Sequence, residues 1–126
     1  MIVLDTHAAV WWTLEPERLG RAIGGRLARE ERIGIPAIVF WEASALVRKC
    51  RLDLTIPVGD WASKLLEIPR VEVLPLTAEI ALLADVLEMH PDPADRFIVA
   101  TAQIHRAWLG TKDRLLSELG FLRTVW

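Results

Sequence analysis

Cysteine is almost missing from this 126-residue chain. Cys50 stands alone, so no internal disulfide can form. Neither do Cys and His residues recur at the spacing of a zinc site. A lone cysteine is simplest as a small side chain in a reduced, cytoplasmic protein. No apolar run approaches the ~18 residues of a membrane span. The N-terminus has no basic stretch leading into an apolar one, so no secretion signal is expected. Strong charge is also lacking. A net charge of −2 excludes a bulk basic binder of nucleic acid. It leaves room for phosphate contacts made through a few placed cations and bound metal ions. Tyrosine is absent, whereas tryptophan occurs six times.

What is present is a core-forming composition, 52% apolar, at a length that fits one domain over residues 1–126. Met1 to Leu4 is a short apolar run that reads as a buried strand, and it ends at Asp5. His7, Val10, Trp11 and Leu14 then recur at helical spacing, so Asp5 caps a helix at a strand's end. Glu15-Pro-Glu17 is a break, and a second helix is expected over 18–31, weakened by three glycines. Ile33-Gly-Ile35 is a second strand, and Pro36 opens a helix reaching about Leu52. Residues 51–57 form a connection or extended arm. Asp60 is placed to cap a helix ending near Ile68. Residues 71–76 form a third strand, and a helix follows from Thr77 or Ala78 to Glu88. Residues 107–111 form a fourth strand, residues 115–119 a short helix, and residues 122–126 a last strand.

The stretch Asp92-Pro-Ala-Asp95-Arg-Phe-Ile-Val-Ala-Thr-Ala102 changes from loop chemistry to a small-residue apolar helix. Asp92 caps it and Pro93 fits its first position. Asp95 lies at the third position, at the edge of a face that packs inward, where a carboxylate is costly unless paired. A capping box, with Asp95 bonding back to the Asp92 amide, is the local alternative. Glu42 is the most informative single residue. Ile38, Val39, Ala45 and Leu46 surround it on its helical face, so it is not an ordinary solvated glutamate. Pairing with a nearby arginine is the other reading.

Strands alternate with helices, which predicts an α/β fold with a mostly parallel sheet covered on both faces. Ligands of such sheets gather beyond the carboxyl ends of the strands. Asp5 and Asp113 lie at such ends, and Glu42 and Asp95 fall near the same rim. Four carboxylates in one cleft repel one another unless divalent cations join them. An all-oxygen set favours Mg²⁺ or Mn²⁺, whose usual work is on phosphate. Metal-dependent phosphodiester hydrolysis is the chemistry that follows, with one metal activating water and a second steadying the leaving oxygen.

Four segments occur in order: Ile-Val-Leu-Asp5-Thr-His, Phe-Trp-Glu42-Ala-Ser, the Asp92 stretch, and Leu-Gly-Thr111-Lys-Asp113. Together they resemble a PIN domain, most closely the VapC-type toxins of bacterial and archaeal toxin–antitoxin pairs. The resemblance spans nearly the whole chain. It implies a five-stranded sheet in the order 3-2-1-4-5 and a ribonuclease of RNA whose acids are Asp5, Glu42, Asp95 and Asp113. Thr111 matches a polar position beside the fourth acid, and Thr6, next to Asp5, is expected to support the site. The implied partner is a small VapB-type antitoxin, and a homodimer is expected. In one departure, Pro36 and Val39 stand where relatives often carry serines.

A haloacid-dehalogenase-type phosphatase also begins strand-then-Asp, but it needs a second Asp two residues later, where His7 stands. A non-catalytic PIN-like module that binds nucleic acid or protein is the remaining alternative, and loss of an acid would favour it. His7 shares a face with Val10 and Trp11 and reads as a satisfied, partly buried histidine. His90 and His105 read as surface residues. Trp11, Trp12, Leu14, Trp41 and Trp61 are expected to leave part of an apolar docking groove near the cleft.

Overall fold

In the computed structural model, which describes residues 1–126, five short strands form one sheet with every pairing parallel. The strands are β1 (Ile2–Leu4), β2 (Ile33–Pro36), β3 (Val71–Leu74), β4 (Trp108–Gly110) and β5 (Thr124–Val125). Their order is β3-β2-β1-β4-β5, as the resemblance implies. β1 lies at the centre, with Val3 opposite Gly34 on one side and Leu109 on the other. Ile2, Val3 and Leu4 are fully buried because both of its faces are covered. Gly110 lets β4 pack closely: a Cβ there would stand 2.7 Å from both Ile23 Cδ1 and Leu4 Cδ2, and those side chains would have to shift.

The helices are α1 (Thr6–Leu14), α2 (Arg21–Leu27), α3 (Ala37–Arg48), α4 (Val58–Leu66), α5 (Ala78–Val86), α6 (Pro93–Ile104) and α7 (Arg114–Ser117). Several boundaries differ from the expectation. The segment 18–31 yields only α2, because Pro16–Arg18 forms a 3-10 turn and Gly20 becomes the N-cap. Gly20 also sits against Trp126, where a Cβ would meet the terminal backbone at 2.4 Å. α3 stops at Arg48, and Cys50 then turns with φ 55°. The 51–57 connection is not an arm: Leu54 is buried, and Leu52 and Ile56 pack against the core. Asp60 does not cap α4. Pro57 holds the cap position, and Asp60 falls within the first turn. α7 ends at Ser117, ahead of Gly120.

The tryptophans divide sharply. Trp61 is completely buried and donates through Nε1 to Thr13 Oγ1 at 2.9 Å. Trp11 is buried edge-on to Trp126, with ring centroids 5.6 Å apart. Trp12 and Leu14 are half-buried against the core. The expected groove therefore does not run along α1 and α4. Among the six indoles only Trp41, on α3, stands largely in solvent, at 59% exposure.

Candidate active site

The rim of the sheet is built from helix caps. Asp5 follows β1 directly, and its Oδ1 accepts from the Ala8 amide at 2.8 Å, starting α1. Asp113, separated from the end of β4 by Thr111 and Lys112, caps α7 and accepts from the Leu115 amide at 2.7 Å and, more weakly, from Leu116 at 3.4 Å. Asp92 Oδ1 accepts from the Asp95 amide at 3.2 Å and starts α6. The local expectations for Asp5 and Asp92 thus hold. Each cap occupies only part of its carboxylate. The capping-box alternative for Asp95 does not form. Its carboxylate turns instead toward His90, with Nε2 3.4 Å from Oδ2.

These acids meet. One cleft of about 610 Å³ is lined by Asp5, Glu42, Asp92, Asp95 and Asp113, together with Thr6, His7, Trp11, Leu46, Arg51 and Lys112. The tightest group is Glu42, Asp92 and Asp95, whose carboxylate oxygens all lie within 4.8 Å of one another. Asp5 and Asp113 face the same cleft outside that group. All four expected acids are therefore brought together, and Asp92, read from sequence as a cap alone, stands among them.

Crowding shows in the proton affinities. Asp95 is pushed up from 3.8 to about 7, first by burial and then by Asp92, Glu42, Asp113 and Asp5. Asp5 is raised to about 6 by burial, which the Thr111 hydroxyl and the Ala8 amide partly offset. Glu42 is raised by burial as well, against the stabilising Thr6 hydroxyl. Thr6 Oγ1 donates a hydrogen bond to Glu42 Oε1. Thr6 thus supplies the hydroxyl that Pro36 and Val39 do not, for both are buried in the sheet and core. Thr111 is fully buried, and its Oγ1 also accepts from the Asp113 amide at 3.0 Å, tying the first and fourth acids together.

Several residues carried no readable signal. Arg96 belongs to the motif, yet its guanidinium makes no ion pair. It donates to five backbone carbonyls, those of Ala84, Asp85, Leu87, Met89 and His90, at 2.7–3.2 Å. This closes the end of α5 and fixes the loop that carries His90 and Asp92. His90, expected at the surface, is instead turned inward, with a buried Nε2 that has no hydrogen-bond partner. His7 differs in the other direction: it is exposed and lines the cleft, its ring 5.4 Å from that of Trp11.

The donor set fits a hard divalent cation. It is entirely oxygen, the three closest carboxylates come from two separate helices, and repulsion among them opposes ionisation. No helix is long and apolar enough to cross a membrane.

The comparisons agree with this geometry. The PIN domain family matches residues 2–122. Ribonuclease VapC22 of Mycobacterium tuberculosis (strain ATCC 25618 / H37Rv) is 37% identical over 129 residues, covering 99% of this chain and 98% of that protein. Two solved structures share the fold. DNA-bound VapBC from Salmonella typhimurium superposes with a TM-score of 0.69 at 20% identity, covering 98% of this chain and 96% of that one. VapC20 of Mycobacterium tuberculosis, a Sarcin-Ricin loop cleaving toxin, gives 0.66 at 20% identity, covering 97% of each. With the sheet order, the acid-lined rim and a match over nearly its whole length, the chain belongs to the PIN domain family.

Proposed function

We propose that the chain is the endoribonuclease toxin of a VapBC-type toxin–antitoxin pair and that its 126 residues act as one PIN domain. The observation that carries this reading is the convergence of five carboxylates in one cleft, with Asp95 held to a pKa of about 7. Such crowding costs stability and serves no packing purpose, so it points to cation binding. The relative at 37% identity is a ribonuclease, and the fold relatives include VapBC complexes.

Glu42, Asp92 and Asp95 would hold the ion, with Asp5 and Asp113 able to join them, and Mg²⁺ or Mn²⁺ suits the oxygen set. When bound, the metal supplies positive charge for the phosphate and for the water that attacks it. The chain's own residues fix the geometry. The Ala8 and Leu115 amides anchor Asp5 and Asp113, Thr6 orients Glu42, and Thr111 bridges the first and fourth acids. In the reaction a water oxygen bonds to phosphorus and the bond to the 3′ oxygen breaks. The ends are therefore a 5′-phosphate and a 3′-hydroxyl.

The partner is a small antitoxin. Trp41, exposed on α3, offers an apolar anchor for it. A basic antitoxin side chain reaching the cleft would neutralise the acids and compete with the metal.

The test is cleavage of RNA by the purified chain in Mg²⁺ or Mn²⁺, in EDTA, and as Asp95→Asn. Cleavage is expected only in the wild type with metal. Activity persisting in EDTA, or 2′,3′-cyclic phosphate ends, refutes the mechanism. RNA binding without cleavage under every condition would leave a non-catalytic module.

A further inference from the structure

Two cations line the acidic cleft without being paired to it. Lys112 reaches it from the β4–α7 turn, and Arg51 reaches it from just beyond the C-terminal end of α3. Five carboxylates share the cleft with them, yet neither residue forms an ion pair with any acid, whereas five pairs form away from the cleft. Lys112 is drawn instead to an indole, its Nζ lying 5.5 Å from the centre of the Trp11 ring. The Arg18 guanidinium shares that ring at 4.3 Å. Arg51 is exposed and makes no side-chain hydrogen bond.

A polyanion entering a ring of carboxylates is repelled. A metal at the reacting phosphate relieves this only locally, and neighbouring phosphates need positive charge of their own. Unpaired cations at the walls supply it without desolvating an internal salt bridge first. The cleft, at about 610 Å³, has the size of a small-ligand site.

Resting on the ribonuclease reading above, we propose that Lys112 and Arg51 are the phosphate grips of this cleft. They hold backbone phosphates neighbouring the scissile one, and so keep the RNA in a cleft whose acids would otherwise repel it.

The experiment uses the full chain and a fluorescently labelled single-stranded RNA of mixed sequence. Arg51→Ala and Lys112→Ala are compared with Arg51→Lys, Lys112→Arg and a distant control, Arg29→Ala. Cleavage in Mg²⁺ gives KM and kcat. Anisotropy in the Asp95→Asn background gives Kd at several salt concentrations. Calorimetry with Mn²⁺ gives metal affinity. Each alanine variant is expected to raise KM and Kd about tenfold, more than it lowers kcat. The slope of log K on log salt should become shallower by about 0.7 per cation removed. The conservative variants should recover most of the binding, and Mn²⁺ affinity should not weaken. Unchanged Kd and salt slope, with a lowered Tm in EDTA, would show that the two cations merely offset the acids and would overturn the proposal. The anisotropy arm decides this even if the wild type cleaves nothing, an outcome that would sink the ribonuclease reading instead.

Discussion

Asp95→Asn should make this protein more stable while removing its activity. Asparagine mimics the protonated carboxyl, and protonation is what the cleft favours. The pKa of Asp95 rises from an ordinary 3.8 to about 7 on folding. Between those values the folded state binds the extra proton, so stability falls as pH rises through the window. Below it no penalty exists, and above it the penalty is complete. At 1.36 kcal/mol per pH unit, the interval corresponds to roughly 4 kcal/mol as an upper bound. The side chain is 21% exposed, and Glu42 and Asp5, raised as well, share the proton uptake, which reduces the share belonging to Asp95. About 2 kcal/mol is the expected gain for the variant at pH 8.

For a chain of this size, that is a rise of roughly 5–10 °C in Tm. The assay is thermal unfolding of wild type and Asp95→Asn in EDTA at pH 5 and pH 8. The gap should be large at pH 8 and shrink at pH 5. A slope left in the variant reports Asp5, whose pKa of about 6 acts with the same sign. Saturating Mg²⁺ should close the gap at pH 8 by stabilising the wild type alone. A variant that is less stable at pH 8, or a gap independent of pH, would falsify the claim that crowded carboxylates strain the cleft.

The remaining expectations concern neighbouring groups. Arg96→Ala leaves five carbonyls without their donor and should cost about 3 kcal/mol, read as a lowered denaturant midpoint; Arg96→Lys should recover little, since one ammonium cannot span the set. Asp92→Ala loses a cap worth about 1 kcal/mol but relieves repulsion on Asp95, so its Tm in EDTA should hardly move while its Mn²⁺ affinity, measured by titration, falls. Thr6→Val removes the hydroxyl that favours ionised Glu42, so the acid limb of the pH–rate profile should move to higher pH.

Much of the site was legible because its acids also serve local roles. Asp5 and Asp92 stand before helices and can be read as caps from sequence alone, and the structure keeps them as caps. Glu42 betrayed itself by its apolar surroundings, and it is half-buried beside Thr6. What the sequence hides is contact across long separations. Arg96 carries no signal of its role in the sequence, and only the return of the α5–α6 loop gives it five carbonyls. His90 seemed free because its neighbour Asp95 lies five residues on, across a turn that Arg96 shapes. The tryptophan groove failed for a related reason. Helical spacing reports that α1 has an apolar face, not how much of it the sheet, Trp126 and the 3-10 turn cover.

The same economy accounts for how the fold tolerates its own cleft. A cap amide lowers the cost of an ionised carboxylate by donating to one of its oxygens, so Asp5 and Asp113 are each partly neutralised where they stand. Glu42, in the second turn of α3, and Asp95, in the first turn of α6, have no amide to themselves. One borrows a hydroxyl from Thr6 and the other faces His90. Asp95 has the weakest support of the capped and uncapped acids, and it shows the largest rise in pKa. A cation entering the cleft therefore gains most where the chain itself supplies least, against Asp95. The two caps at the strand ends are already oriented toward it. On this reasoning the order of sensitivity to metal should follow the order of local support. Tm rescue by Mg²⁺ should vanish in Asp95→Asn and survive in part in Asp113→Asn, whose carboxylate is held by two amides of its own helix.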